Sequence, residues 1–201
     1  MTRMSIVACD ITVSADGYVA GPNQDLDNPI GEGGGRLHAW VFDPTPEDQR
    51  IIDEWQQPAG AYVMGRNMFG PSRGEWDLDW TGWWGPEPPY GVPVFVLTHH
   101  EREPLVMGAT TFHFVTGGIE AALDEARAAA GDRQVAVAGG ASTVNQYLAA
   151  GLIDQLHLHI APVIFGGPGE RLFEGVPTTE LEPVQVLGSP QVSHVKYAVR
   201  R

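Results

Sequence analysis

Cysteine is almost absent from this sequence of 201 residues, because Cys9 is the only one. A single thiol excludes an internal disulfide and a zinc site built from cysteines. Cys9 lies in an apolar run with the pattern of a strand, so we interpret it as a small core residue. The sequence also lacks a His-Glu-x-x-His metal motif, a Gly-x-Ser-x-Gly elbow and a phosphate-binding Gly-Lys-Ser/Thr loop. It therefore predicts neither a metal site nor an activated nucleophile.

Positive charge is also scarce. Twelve lysines and arginines face 25 aspartates and glutamates, which gives a formal net charge of −13. Such a chain cannot neutralise many phosphates, so this balance argues against nucleic acid or an anionic membrane as a partner.

The chain also has no long apolar run and no basic, then apolar, leader. From this we expect a cytoplasmic protein. Hydrophobic residues make up 43% and charged residues 18% of the sequence, as in an ordinary soluble domain. The length predicts a single domain over residues 1–201.

The most informative segment is Val135 to Leu148, where a short buried strand runs into Gly139-Gly140 and then into a helix. Ser142 and Thr143 fall at the start of that helix. A helix start carries partial positive charge and unpaired N–H groups, so this arrangement suits a phosphate. A strand-to-helix turn in which Ser142 or Thr143 caps the helix is an equally open interpretation.

Alternating and helical hydrophobic patterns predict the remaining elements. The predicted strands are Met4–Val13, Ala61–Met64, Pro93–Thr98, Thr111–Thr116, Val135–Ala138, Leu156–Phe165 and a closing antiparallel hairpin of Leu181–Leu187 with Val192–Val199. Predicted helices cover 119–130 and the segment from Ala141 to Gly151. Strands that alternate with helices and end in a hairpin indicate an α/β protein with a mixed, mostly parallel central sheet and helices on both faces.

Two further segments shape the predicted site. Thr45-Pro-Glu-Asp48 has the signature of a helix start, and this helix is predicted to run to about Gln57 with Ile51, Ile52 and Trp55 on its inner face. The loop from Gly21 to Gly35 is long for a compact domain, and such loops are usually functional or mobile.

The order of the strand-end motifs resembles the dihydrofolate reductase fold. These motifs are Asp16-Gly-Tyr-Val-Ala20, Met64-Gly-Arg66, Val96-Leu-Thr98, Gly139-Gly140 and Gly166-Gly167. The chain is more closely similar to the reductase domain of bacterial riboflavin biosynthesis, the C-terminal domain of the deaminase–reductase. The resemblance covers nearly the whole chain and depends on the order of the motifs, since no single motif is specific.

The resemblance implies that NADPH lies across the carboxyl ends of the strands. The matching positions are Thr12, Val19 and Ala20 near the nicotinamide, Gly65 and Arg66 near the phosphates, Thr98, His99 and His100 at the adenosine side, and Gly139, Gly140, Ala141, Ser142 and Thr143 at the pyrophosphate. Arginine can grip a phosphate in a bidentate way, and a hydroxyl with imidazoles suits a 2′-phosphate. A surface role for Arg66 and for the histidines remains open.

The implied reaction is hydride transfer to a C=N or C=O bond. Two catalytic candidates follow. Asp53 lies on the helix where dihydrofolate reductases keep a carboxylate. Asp48 and Glu54 of the same helix compete for that role, and Asp53 and Glu54 can equally be solvated helix charges. His159 falls where those enzymes carry a threonine beside the carboxylate, and an imidazole there can donate a proton near neutral pH. His157 and His159 share one face of their strand, and a pair of hydrogen-bonded structural histidines is the alternative.

The substrate side is less defined. His38, Trp40 and His157 are the candidate contacts for a planar heterocycle. We interpret Trp76 and Trp80 as residues that pack a loop or an interface.

We expect a homodimer, since the related reductases pair. The alternatives are a dihydrofolate or xenobiotic reductase and a non-catalytic protein that binds a dinucleotide or flavin.

Overall fold

The computed structural model describes residues 5–55 and 59–200, with the side chain of residue 55 excluded. The strands are β1 (Val7–Ser14), β2 (Ala61–Gly65), β3 (Pro93–Leu97), β4 (Leu105–Met107), β5 (Thr110–Val115), β6 (Val135–Gly139), β7 (Gln155–Ala161), β8 (Leu181–Gly188) and β9 (Ser193–Val199). The helices are α1 (Ala39–Phe42), α2 (Pro46–Trp55), α3 (Arg66–Phe69), α4 (Gly118–Ala130) and α5 (Ala141–Ala149), and a 3₁₀ turn covers Gly34–Leu37.

All nine strands form one sheet in the order β4-β5-β3-β2-β6-β1-β7-β9-β8. The pairs from β5 through β7 are parallel, whereas β4, β9 and β8 pair with their neighbours in antiparallel directions. This confirms the predicted mixed, mostly parallel sheet with a C-terminal antiparallel hairpin. Among the described residues, no helix is both long enough and apolar enough to cross a membrane.

One face of the sheet is packed with apolar side chains. Successive side chains of a strand point to opposite faces, and the odd-numbered residues of β1, β2 and β6 other than Gly65 and Gly139 enter the main core. They pack with residues of α4 and α5, and the members from the sheet include Val7, Cys9, Ile11, Val13, Ala61, Val63, Val135 and Val137. Cys9 is buried there, as its position in the strand predicted.

The other face is more open. The even-numbered residues of the same strands include Ala8, Asp10, Tyr62, Ala136 and Ala138, and they line cavities instead of a packed core. Ile51 and Glu54 of α2 line the same space, which places a helix on this face as well. A separate aromatic cluster around Phe69 and Phe112 fills this face toward β3 and β5.

Three local differences from the predicted elements have simple causes. The long strand ends at Ala161 because Pro162 has no N–H, and Val163 N–H instead donates to the Ala161 carbonyl. The short strand β4 and the one-turn helices α1 and α3 are too brief to leave a periodic pattern. The predicted strand start at Met4, the helix end near Gln57 and the inner-face position of the Trp55 side chain lie outside what the structure describes.

The start of α2 agrees with its sequence signature. Thr45 N–H donates to Asp48 Oδ2 at 3.0 Å, and Asp48 N–H donates back to Thr45 Oγ1 at 3.2 Å. This reciprocal pair is a capping box, with Pro46 at the first helical position.

Candidate functional site

A cleft of about 940 Å³ lies along the carboxyl ends of β1, β2 and β6. It takes its walls from the sheet, the loop before α1 and the tryptophan-rich loop before β3. Its lining includes Thr12, Val19, Ala20, His38, Trp40, Gly139 and Gly140, all of which the sequence placed in the site. In parallel α/β sheets, ligands bind at this edge of the strands.

The turn after β1 is fastened in place by Asp16. Ser14 Oγ donates to its carboxylate at 2.6 Å, and the backbone N–H groups of Phe165 and Gly166 donate to the same carboxylate. Arg171 Nε also donates to the Asp16 carbonyl. The segment that carries Val19 and Ala20 is therefore held against the cleft by the turn that follows β7.

The loop from Gly21 to Gly35 folds back on itself beside this turn. Gly21 N–H donates to the Ile30 carbonyl, and a Cβ on Gly21 or Gly31 would clash with the backbone of the opposite arm. Gln24, Pro29 and Ile30 of this loop line the cleft.

The ends of β2 and β6 meet the start of α5 at close range. A Cβ on Gly65 would collide with Thr143 Oγ1, so only glycine allows this approach. Gly139 has a φ of 124°, which also favours glycine. Gly140 is the N-cap of α5 and supplies no side-chain hydrogen bond, so neither Ser142 nor Thr143 caps the helix. The first N–H groups of α5 thus lack a side-chain partner among the described residues.

Arg66 lies at the start of α3, beside this edge. Its guanidinium stacks on Trp76 with 3.8 Å from Cζ to the ring centroid, and one terminal nitrogen donates to the Glu75 carbonyl at 3.3 Å. Its Nε is buried and has no hydrogen-bond partner in the described part of the chain. Burial lowers the pKa of Arg66 from its ordinary value. Arg66 is not among the residues that line the cleft.

The segment after β3 is tied to the tryptophan-rich loop. His100 N–H donates to Thr98 Oγ1 at 3.1 Å, His100 Nδ1 lies 3.1 Å from Glu75 Oε1, and Trp76 Nε1 donates to the His100 carbonyl at 2.8 Å. His99 is exposed. This network accounts for the loop-packing interpretation of Trp76, and Trp80 donates in the same way to the Phe69 carbonyl.

The polar centre of the site is Asp10, which the sequence analysis did not single out. Strand register pairs Asp10 with His157 and pairs Thr12 with His159, so both histidines face the same side as the carboxylate. His159 Nε2 lies 3.0 Å from Asp10 Oδ1, and His157 Nδ1 lies 3.4 Å from Asp10 Oδ2. His157 Nε2 is buried without a hydrogen-bond partner among the described residues.

Asp10 also borders a second, inner cavity of about 460 Å³ that adjoins the cleft. Its polar lining consists of Asp10, Glu54, Tyr62, Gln134, His157, His159, Gln185, His194 and Lys196. Although burial acts to raise the pKa of Asp10, hydrogen bonds from His157 and His159 and the charges of these rings hold it below its ordinary value. Asp10 is thus an ionised carboxylate at the junction of the two cavities.

A hydrogen-bonded chain continues from Asp10 into the interior. His159 Nδ1 lies 2.8 Å from His194 Nδ1, and His194 Nε2 lies 3.0 Å from Asp48 Oδ1. Trp40 packs against both imidazoles, with ring centroids 5.1 Å from His159 and 5.0 Å from His194. The structure therefore brings His159, His157 and Trp40 together.

The inward-facing carboxylate of α2 is Asp48 and not Asp53. Asp53 is exposed and accepts a hydrogen bond from Gln49 Nε2 at 2.7 Å, one turn away on the same helix. The structure does not bring Asp53 to the other candidate residues, so the catalytic assignment of Asp53 is corrected. The reason is helical spacing, because Asp48 lies on the face of α2 that meets β9, and Asp53 does not.

Two signals in the sequence point to the residues that were missed. Asp10 is the only charged residue in the apolar run of β1, and its even position puts it on the face of Thr12. Asp48 is the third residue after Thr45, the capping-box position. His194 carries no such local signal, since only the pairing of β9 with β7 sets it opposite His159.

The site lies in a fold with known relatives. Residues 5–194 match the RibD C-terminal domain family. No curated protein gives a significant match to the sequence.

Several solved structures share the fold. A putative riboflavin biosynthesis protein from Shewanella sp. PV-4 has a TM-score of 0.66 at 22% identity, and the match covers 98% of this chain and 99% of that one. A pyrimidine reductase-like protein from Corynebacterium diphtheriae gives a TM-score of 0.59 at 16% identity, with 98% and 92% covered. A diaminohydroxyphosphoribosylaminopyrimidine deaminase/5-amino-6-(5-phosphoribosylamino)uracil reductase from Thermotoga maritima gives 0.63 at 16% identity, and this chain matches 57% of its length.

The fold places the protein in the dihydrofolate reductase-like class. Within that class, the chain belongs to the RibD C-terminal domain family, because the match spans nearly all of it. The reductases of this family are oxidoreductases that depend on a pyridine nucleotide.

Proposed function

We propose that this protein is an NADPH-dependent reductase that transfers hydride to a C=N or C=O bond of a small pyrimidine-like heterocycle. The observation that carries the proposal is the juxtaposition of two unlike ends in one cleft. A glycine-lined edge with an uncapped helix start lies in one part of the cleft, and Asp10 lies in another, where it contacts His157 and His159 of the adjoining inner cavity.

The residues present suit a dinucleotide at the glycine end. Gly139 and Gly140 line the cleft without side chains, and the N–H groups that begin α5 are available to a pyrophosphate. The unpartnered, buried Nε of Arg66 lies at the neighbouring strand end. When bound, NADPH supplies the hydride. Thr12, Val19 and Ala20 line the cleft and are the residues that we assign to the nicotinamide.

The other end suits a planar, hydrogen-bonding substrate. Trp83, Trp84 and Tyr90 line the cleft with aromatic surface on which a heterocycle can stack. Asp10 can accept hydrogen bonds from ring N–H groups, and His157 offers a second polar contact. The protein's part in the reaction is to align the heterocycle, exclude water and hold a proton near the bond that is reduced.

The position of Asp48 separates this proposal from dihydrofolate reduction. An inward-facing carboxylate on α2 that meets the ligand would favour dihydrofolate. Asp48 faces inward, but its side chain has no exposed surface and is held by Thr45 and His194. The carboxylate that borders the cleft comes from β1 instead, so a pyrimidine such as 5-amino-6-(5-phosphoribosylamino)uracil, the substrate named for the Thermotoga protein, is the first compound to test.

The test has two stages. Quenching of tryptophan fluorescence by NADPH and by NADH measures cofactor binding, and we expect micromolar affinity for NADPH with clear discrimination against NADH. Oxidation of NADPH is then followed at its near-ultraviolet absorbance with the pyrimidine substrate and with dihydrofolate. Binding without substrate-dependent oxidation would support a non-catalytic dinucleotide-binding protein, and binding of neither nucleotide would direct the search toward flavins.

We also propose that the protein is a single-domain, cytoplasmic homodimer. The family relationship supports a dimer, and so does the outer strand β8, on which Val184 and Val186 are exposed. Light scattering of the purified protein measures the molecular mass, and a monomer at all concentrations would overturn the dimer.

A further inference from the structure

The hydrogen-bonded chain of Asp10, His159, His194 and Asp48 runs from the cleft into the interior of the protein. The exposed fraction of the side chains falls from 37% at Asp10 to 2% at His159, 3% at His194 and 0% at Asp48. Asp10 is the most exposed member and the one that borders the cleft, so we assign the entry and exit of protons to Asp10.

The hydrogen bonds of this chain require an unusual number of protons. Ionised carboxylates only accept, so Asp10 and Asp48 each need an Nε2–H from their histidine. If both rings were neutral, their two Nδ1 lone pairs would then face each other at 2.8 Å. A third proton between His159 and His194 removes that repulsion. Each of the three hydrogen bonds needs one proton, and a proton that shifts from one group to its neighbour does not change this total of three. Two neutral imidazoles supply only two protons.

The inner carboxylate is arranged to stay ionised. Burial acts to raise the pKa of Asp48, but hydrogen bonds from His194, Ser189 and Thr45 hold it below its ordinary value. Thr45 donates twice to Oδ2, which leaves Oδ1 for His194. Asp48 therefore supplies a fixed negative charge at the closed end of the chain, which stabilises an extra proton on the two rings.

Burial disfavours positive charge on the outer imidazole alone, so the extra proton depends on the shared Nδ1–Nδ1 hydrogen bond and on the charge of Asp48. Burial lowers the pKa of His159 from its ordinary value, although its contact with Asp10 acts in the opposite direction. The charged and titratable groups that face the two rings from the surrounding elements are Asp10, Asp48, Glu54, Tyr62, His157 and Lys196.

We propose that Asp48, His194, His159 and Asp10 form a proton-storing chain that holds one proton beyond two neutral imidazoles and delivers it at Asp10 to the substrate. The delivery step rests on the proposed reductase function. Hydride adds to the carbon of the C=N or C=O bond, the stored proton adds to its nitrogen or oxygen, and water in the cleft reloads the chain through Asp10. Asp10 is the catalytic residue of this step, and the three inner residues are positioning residues.

The stored proton can be counted in the free protein. Imidazole resonances of protein with ¹⁵N-labelled histidine report which ring nitrogens carry protons. At about pH 8 an isolated histidine is neutral, since its ordinary pKa is about 6.5. We expect the His159–His194 pair to carry three ring protons there, one of them a far-downfield, slowly exchanging proton between the Nδ1 atoms. Two protons on two neutral rings would overturn the proposal.

The delivery step is tested with Asp48→Asn, which keeps the shape of the inner residue and removes its charge. We expect single-turnover oxidation of NADPH by the pyrimidine substrate to slow about tenfold or more above about pH 7, with the alkaline limb moved to lower pH. The affinity for NADPH should not change. Glu47→Gln, which neutralises the adjacent acid of the same helical turn, is the matched control and should retain the wild-type profile.

The outcomes separate this inference from the function on which it rests. Turnover by the wild type with the same pH profile in Asp48→Asn would overturn the chain as a proton source. No turnover by the wild type would overturn the reductase proposal, and the delivery step with it. The count of ring protons in the free wild-type protein tests proton storage whether or not the wild type turns over substrate. It also tests storage if the Asp48→Asn variant does not fold.

Discussion

The two faces of the central sheet show how one set of strands can serve two purposes. On one face, alternate residues of β1, β2 and β6 are apolar and fully packed under α4 and α5. On the other face, the intervening residues of β1 and β6 are small or polar and leave two adjoining cavities. The first face stabilises the fold, and the second carries the proposed site. Because the two sets alternate along the same strands, substitutions on neighbouring residues should affect different properties.

The largest effect is expected on the polar face. Asp10→Asn removes the carboxylate that both histidines contact, and we expect turnover to fall by roughly 10² to 10⁴-fold, the usual contribution of acid–base catalysis. Stability and NADPH affinity should change little, since the side chain is partly exposed at the cleft. Turnover with the pyrimidine substrate and NADPH titration measure the two properties. Unchanged turnover would remove Asp10 from the mechanism.

The matching experiment on the packed face uses Leu156, which precedes His157 on β7 and is buried in the main core. Leu156→Ala should destabilise the protein by about 2–5 kcal/mol, because it removes buried methyl groups and leaves a cavity. Turnover per folded molecule should remain near the wild-type value. Denaturant unfolding measures the loss, and a large fall in turnover without loss of stability would contradict the division between the faces.

The pH dependence of stability also distinguishes the two faces of the sheet, because the buried carboxylate of Asp48 lies on the polar face. The pKa of Asp48 in the folded protein lies below its ordinary value. Its contribution to the free energy of unfolding is therefore complete above the unfolded pKa of about 3.9, and it is lost as the pH falls through the folded pKa. Asp48→Asn should cost roughly 1.5–3 kcal/mol at neutral pH. Unfolding of wild type and variant across this acid range should show the difference disappearing, and a constant difference would contradict the assignment.

The smallest predicted effect concerns cofactor binding at the edge of the sheet. Arg66→Ala should weaken NADPH binding by roughly 1–3 kcal/mol, the value of a charge-assisted contact. Fluorescence titration measures it. Glu170→Gln is a control with the opposite expected effect. It removes a negative charge that lines the cleft beside Gly140, so it should strengthen binding of the anionic NADPH. If Arg66→Ala leaves the affinity unchanged, Arg66 supports only Trp76.

Residues that act through local geometry were predictable. The glycine edge at Gly139 and Gly140, the capping signature at Thr45 and the shared face of His157 and His159 all depend on neighbours within a few residues. Asp53 was misassigned because helical periodicity alone does not show which face of a solvated, acidic helix meets the sheet. Asp10 was overlooked among apolar neighbours, although its alternation with Cys9 and Ile11 placed it opposite the core.

The sequence by itself determined the mixed sheet, the closing hairpin and the glycine-lined strand end, because backbone preferences and side-chain alternation are local properties. Only the tertiary structure decided the hydrogen-bonded chain that links Asp10, His159, His194 and Asp48. Its four members come from β1, β7, β9 and α2, and up to 149 positions separate two hydrogen-bonded partners. Strand register and helix docking bring them within 3.0 Å of one another, and no local pattern specifies such contacts.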